Sequence, residues 1–172
     1  MPTSSHYSLI FVLIFGLLIL SGCARKERNS SAGGNQIRLS KIKLKDMNDR
    51  VIDLSNHKGK VIFINFWATW CRPCIEEMPS IKNAKSTLKG KNIEFLVASN
   101  EDLDRIQNFA TKTKLGLNFV QLENMEELNI QALPTTFIFN AKGELVFSEM
   151  GYRKWDEQKN IEVITKIINS HE

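Results

Sequence analysis

Residues 61–66 read VIFINF, an apolar and β-branched run broken only by Asn65. A strand that is apolar on both faces must be covered on both, so this segment belongs in the middle of a sheet. The chain leaves it through WATW and reaches CRPC at residues 71–74, where a helical pattern begins. Pro73 suits the first turn of a helix, where a missing N–H costs nothing. A buried strand turning directly into a helix points to layered α/β architecture. It also delivers two cysteines to a helix N-terminus.

The rest of the 172 residues is consistent with one such domain. Leu39 to Lys45 alternates apolar and basic residues, turns through Asp46 to Asp49 and continues into Val51 to Leu54, which predicts an N-terminal β-hairpin. Residues 73–89 read as a helix, interrupted or kinked at Pro79. Ile93 to Ala98 is a second buried strand. Between Asp102 and Leu115, the residues Leu103, Ile106, Phe109, Ala110 and Thr113 share one helical face. A short strand at 119–122 and a short helix at 125–128 follow. Thr135 to Phe139 and Glu144 to Ser148 pair across Ala141-Lys142-Gly143. The last helix is expected from Trp155 to Asn169, with Ile161, Ile164 and Ile168 inward. The expected fold class is therefore α/β, a mixed central sheet flanked by helices.

Cys71 and Cys74 admit three readings. A structural zinc site takes four ligands, and behind Cys23 the chain offers only these two with His57 and His171, without a second CxxC or an HxxxH. A structural staple closing so short a loop removes little chain entropy. A working redox pair fits better. At a helix N-terminus the macrodipole, the unpaired N–H groups and a neighbouring Arg72 favour the thiolate, the attacking species in disulfide exchange. Cys74, one turn deeper, is placed to resolve a mixed disulfide, and Trp70 is expected to cover the pair on one side.

The string NFWATWCRPCIEEMP resembles the thioredoxin active site, and in particular the membrane-tethered TlpA/ResA/CcmG branch. The resemblance runs over residues 37–170 and includes Ala132-Leu133-Pro134-Thr135-Thr136-Phe137. It implies a thioredoxin-like fold in which the segment near 102–122 is the central αβ insertion of this branch. It implies that Pro134 is cis and faces the cysteines, that Leu133 offers backbone to the substrate as an added strand, and that Trp70, Arg72 and Pro73 border the bound substrate. An ordinary trans Pro134 is the alternative. Where plain thioredoxins carry a buried aspartate, this chain has Asn65, which exchanges no protons. In the ResA-like branch a glutamate three residues after the second cysteine is the proposed proton shuttle, here Glu77. Positions i and i+3 share a helix face, so Glu77 can approach Cys74. The alternative is that Glu76 and Glu77 only favour the positive end of the helix.

The first 22 residues carry no Lys, Arg, Asp or Glu, and residues 9–20 read LIFVLIFGLLIL. A twelve-residue run is too short to span a bilayer, which takes about 20, and suits a secretory signal. Behind it, Leu20-Ser21-Gly22-Cys23 resembles the lipobox of bacterial lipoproteins. That resemblance implies cleavage before Cys23, a diacylglyceryl group on its thiol, and an extracytoplasmic, lipid-anchored protein. The expected layout is a signal peptide at 1–22, lipidated Cys23 and a Gly/Ser-bearing tether at 23–38, and the domain at 39–172. MPTSSHYS departs from the pattern, since only the amino terminus and His6 supply positive charge. Ala24 hints at outer-membrane sorting, by a rule that is not general.

Charge is unevenly placed. Residues 23–60 hold ten Lys/Arg against four Asp/Glu, and residues 61–172 thirteen against fifteen. Anionic headgroups beside the anchor attract such an excess, although a solvated basic linker explains it equally. No basic stripe interleaves with aromatics, so nucleic acid is not an expected partner. The expectation is a monomeric thiol–disulfide oxidoreductase with no cofactor or metal beyond the cysteine pair. By resemblance it reduces disulfides in protein substrates such as apocytochrome c, and a membrane reductase supplies its electrons. Three alternatives stay open: a disulfide-forming oxidase, a peroxidase (Thr69 lies two residues before Cys71), and a non-enzymatic copper chaperone.

Overall fold

A computed structural model describes residues 37–57 and 59–170. The signal, Cys23 and most of the expected tether lie outside the described residues. The strands are β1 (Leu44–Lys45), β2 (Val51–Ile52), β3 (Val61–Phe66), β4 (Ile93–Ser99), β5 (Phe119–Leu122), β6 (Thr135–Phe139) and β7 (Leu145–Met150). The helices are α1 (Arg72–Thr87), α2 (Leu103–Thr113) and α3 (Gln158–Asn169). One seven-stranded sheet has the order β2-β1-β5-β4-β3-β6-β7. It is mixed: β3, β4 and β5 run parallel, and β6 returns antiparallel to β3.

All six residues of β3 are buried, as a strand with neighbours on both edges and layers on both faces requires. Its side chains divide by the two-residue period. Val61 and Phe63 face one core with Phe95, Val97 and Ile138, and Ile62, Ile64 and Phe66 face the other with Leu96 and Phe137. All three helices contribute to the first core, through Met78 and Ile81, Ile106, and Ile164 and Ile168. The second is closed by 3-10 turns carrying Leu39, Leu54 and Leu128. The expected flanking by helices thus holds on one face, with turns on the other.

Four expectations need correction. Leu39 to Lys41 forms a 3-10 turn, and only Leu44–Lys45 is strand. Leu39 and Ile42, three apart, both enter the second core, a spacing that a 3-10 turn satisfies and a strand does not. Arg38, assigned to the tether, already bridges to Glu144. Helix α1 runs from Arg72 to Thr87 with Pro79 inside it, so the expected interruption there does not occur. Pro79 lies on the exposed side, where water can serve the carbonyl it leaves unpaired. Helix α3 starts at Gln158, because Trp155 is committed to contacts beneath α1.

Candidate active site

β3 ends at Phe66, and Trp67 N–H donates to Ala98 O at 3.0 Å before the chain turns. Cys71 is the N-cap of α1, in extended conformation, with Pro73 in the first turn. Its N–H donates to Ala68 O at 3.0 Å, and its carbonyl accepts Ile75 N–H at 3.2 Å. Cys71 and Cys74 form a disulfide with an S–S distance of 1.98 Å. Cys74 is fully buried and Cys71 is 5% exposed, so position 71 is the outer of the two. The Leu133–Pro134 peptide is cis. Thr135 pairs with Phe66, which sets Pro134 beside the end of β3 that leads to the cysteines. Leu133 packs against the core containing both cysteines.

Two expectations about the rim change. Trp70 is 72% exposed and covers nothing; the cysteines share their core with buried Trp67 instead. Arg72 does not spend its charge on the cysteine, because its Nε donates to Glu76 Oε1 at 2.8 Å.

Glu77, one turn after Cys74 on α1, is fully buried. Its Oε1 accepts Asn65 Nδ2 at 3.0 Å and Trp155 Nε1 at 2.5 Å, and its Oε2 accepts Arg153 N–H at 3.1 Å. Burial pushes the carboxyl from the ordinary 4.5 up to about 7, against the pull of those three donors. Near neutrality such a group both gives and takes a proton. Asn65 also donates to Thr136 Oγ1 at 3.0 Å, so the residue that cannot titrate holds the one that can. Ser80 Oγ accepts Trp155 N–H at 3.0 Å, and Arg153 Nε donates to Asn160 Oδ1 at 2.7 Å, fixing the far side of the nest. Nothing in the sequence pattern ties residues 153–160 to Glu77. The only hint is the general need of a buried indole N–H for an acceptor.

A second carboxylate grips the loop before the cysteines. Glu101, following β4, accepts Thr69 N–H at 2.6 Å and Thr69 Oγ1 at 2.7 Å, with Ser99 Oγ at 3.2 Å and Arg105 at 3.4 Å. Burial raises its affinity for a proton, but these donors outweigh that and hold the carboxyl below its ordinary range. Among the described residues no group of three or more His, Cys, Asp or Glu lies together as metal ligands do.

Several known proteins resemble this chain in sequence and fold. The Redoxin family model matches residues 32–164. The thiol–disulfide oxidoreductase ResA of Bacillus subtilis (strain 168) is 32% identical over 143 residues, covering 80% of this chain and 78% of that protein. The chain superimposes on the crystal structure of StoA from Bacillus subtilis with a TM-score of 0.59 at 21% identity, over 76% of this chain and 98% of that one. A putative thiol-disulfide oxidoreductase from Bacteroides vulgatus gives 0.62 at 25% identity, over 76% and 91%. These establish the thioredoxin-like fold. With a cysteine pair at a helix N-terminus and its sulfurs joined, the chain belongs to the Redoxin family, on its ResA-type thiol–disulfide oxidoreductase branch.

Proposed function

We propose that this oxidoreductase is a reductase of protein disulfides, held by lipid on Cys23 at the extracytoplasmic face of a bacterial membrane. The observation that carries the chemistry is the pairing of an outer sulfur at a helix N-cap with a buried one a turn away, beside a buried carboxyl near neutrality. In the reduced enzyme the Cys71 thiolate attacks a substrate disulfide. A Cys71–substrate S–S bond forms, the substrate's own bond breaks, and the leaving sulfur takes up a proton. Cys74 then loses its proton to Glu77 and attacks Cys71. The second substrate sulfur departs as a thiolate and takes up a proton, and two electrons have passed to the substrate. The enzyme is left as the Cys71–Cys74 disulfide, which an upstream membrane reductase must reduce again.

Leu133 and the cis Pro134 offer the backbone edge for the substrate chain, with Trp70, Arg72 and Pro73 bordering it. Apocytochrome c before haem attachment is the substrate that the family likeness favours, together with placement outside the cytoplasm. The described residues include no helix long and apolar enough to cross a membrane, and the lipobox-like LSGC supplies the attachment.

A Cys74→Ala variant tests the scheme in the native membrane. It should accumulate a mixed disulfide between Cys71 and the physiological substrate. If no such adduct forms and the reduced enzyme leaves protein disulfides intact, the reductase reading fails. A potential near about −270 mV supports a reductase, and one near about −120 mV an oxidase.

A further inference from the structure

The redox pair and the point where the chain from Cys23 enters the fold lie at opposite ends of β3. That strand runs from Val61 toward Phe66 and the cysteines, and β6 returns beside it, Thr135 against Phe66 and Phe139 against Ile62. At the far end, Leu39 N–H donates to Gly143 O at 3.0 Å, Gly59 N–H to Ala141 O at 3.1 Å and Val61 N–H to Asn92 O at 3.0 Å. The entering segment, the 59–60 loop, the 91–92 loop and the 140–143 turn are thus gathered at one pole. Six strand residues separate it from the redox end by about 20 Å.

This pole is cationic. Lys60, Lys89, Lys91 and Lys142 are all exposed. None of the four takes part in an ion pair among the described residues. They form one surface, because Lys60 lines both a cavity of about 520 Å³ shared with Lys142 and an adjoining one of about 280 Å³ shared with Lys89 and Lys91. The carboxylates around it are engaged: Glu94 with His57 at 3.0 Å, Glu123 with Lys45 at 3.0 Å, Glu144 with Arg38 at 3.9 Å. Asp53 accepts Ser55 N–H at 2.9 Å. Val51, on the wall of the larger cavity, is an apolar side chain 74% exposed. At the redox end the arginines are neutralised instead: Arg72 by Glu76, Arg105 by Glu101 and Arg153 by Glu149.

We propose that the lysine pole docks on an anionic lipid surface and so points the cysteine pair away from the bilayer. This rests on the anchoring reading above. Residues 23–36 join Cys23 directly to this pole, and fourteen residues span at most about 50 Å. The surface in reach is therefore that of the anchoring membrane, and unpaired lysines close to it are attracted to acidic headgroups.

The full, lipid-bearing chain is placed in vesicles of phosphatidylcholine alone, or of equal parts phosphatidylcholine and phosphatidylglycerol. A water-soluble amine-acylating reagent then labels exposed lysines, and peptide masses read the extent. Labelling of Lys60, Lys89, Lys91 and Lys142 should fall several-fold on the anionic vesicles, while Lys154, exposed near the redox end, stays unchanged. The difference should vanish once salt shortens the Debye length to about 3 Å. Lys60→Gln with Lys91→Gln should weaken the protection of Lys89 and Lys142 without altering turnover on a soluble disulfide. Equal labelling of all five lysines on both vesicles overturns the inference and leaves anchoring intact. A Cys23 peptide without added lipid mass, in a chain that stays off the vesicles, overturns both.

Discussion

Two glutamates near the cysteine segment, Glu77 on α1 and Glu101 on Thr69, are treated oppositely by the fold. Glu77 lies one turn after Cys74 on α1, fully buried, and burial outweighs its three donors, so its proton is held up to about pH 7. Glu101 lies beside Thr69, closer to water, and there the donors outweigh burial and the charge is kept. Both receive a backbone N–H and side-chain donors. Hydrogen bonding alone therefore does not set protonation; how far the group is removed from water decides which effect wins. One environment suits moving a proton, the other holding a strut in place.

The largest effect expected is from Cys71→Ala, which removes the chemistry both carboxylates attend. Disulfide-exchange turnover should disappear while the fold persists; full activity would sink the whole scheme. Next is Glu77→Gln. A lost proton acceptor should slow release of reduced substrate by about tenfold to a hundredfold, and the pH–rate profile should lose its step near 7. An unchanged rate and profile would reduce Glu77 to a structural residue.

The two sites should also differ in how pH moves stability. Glu77 has a folded pKa above its unfolded value, so the native state binds the extra proton between about pH 4.5 and 7. Stability of the oxidised protein should therefore fall as pH rises through that window, by about 3 kcal/mol at most, and this slope should flatten in Glu77→Gln. Glu101 has the opposite sign: its contribution is present above the ordinary carboxylate pKa and is lost as pH falls. Denaturant melts across the range check both. The smallest effect is that of Glu101→Ala, which should cost about 1–3 kcal/mol at neutral pH and leave the step near pH 7 in place. If it moves that step, the two environments are coupled and the contrast breaks down.

Much of this was readable from local pattern. β3 declared itself through its apolar, β-branched run, and Pro73 and the cysteine spacing marked the start of α1. Likeness to the branch pointed to Pro134, and its peptide is cis. Long-range pairing was not readable. Glu77 meets Arg153 and Trp155 across 76 and 78 positions of chain, and Thr69 meets Glu101 across 32. Such contacts arise when helix and sheet close on each other, and no short window records them. The same limit explains Leu39, whose basic–apolar alternation suggested strand until the core beneath it selected a three-residue spacing. It also explains Trp70: an aromatic ring beside a cysteine is equally compatible with a lid and a projection, and only the packed structure decides.

That projecting ring has a practical consequence. The chain has three tryptophans, and two of them, Trp67 and Trp155, are sealed in the core while Trp70 stands in water one residue from the reactive sulfur. A collisional quencher such as acrylamide should thus reach a single emitter. Its fluorescence gives an unlabelled optical reading of whatever polypeptide settles over the disulfide.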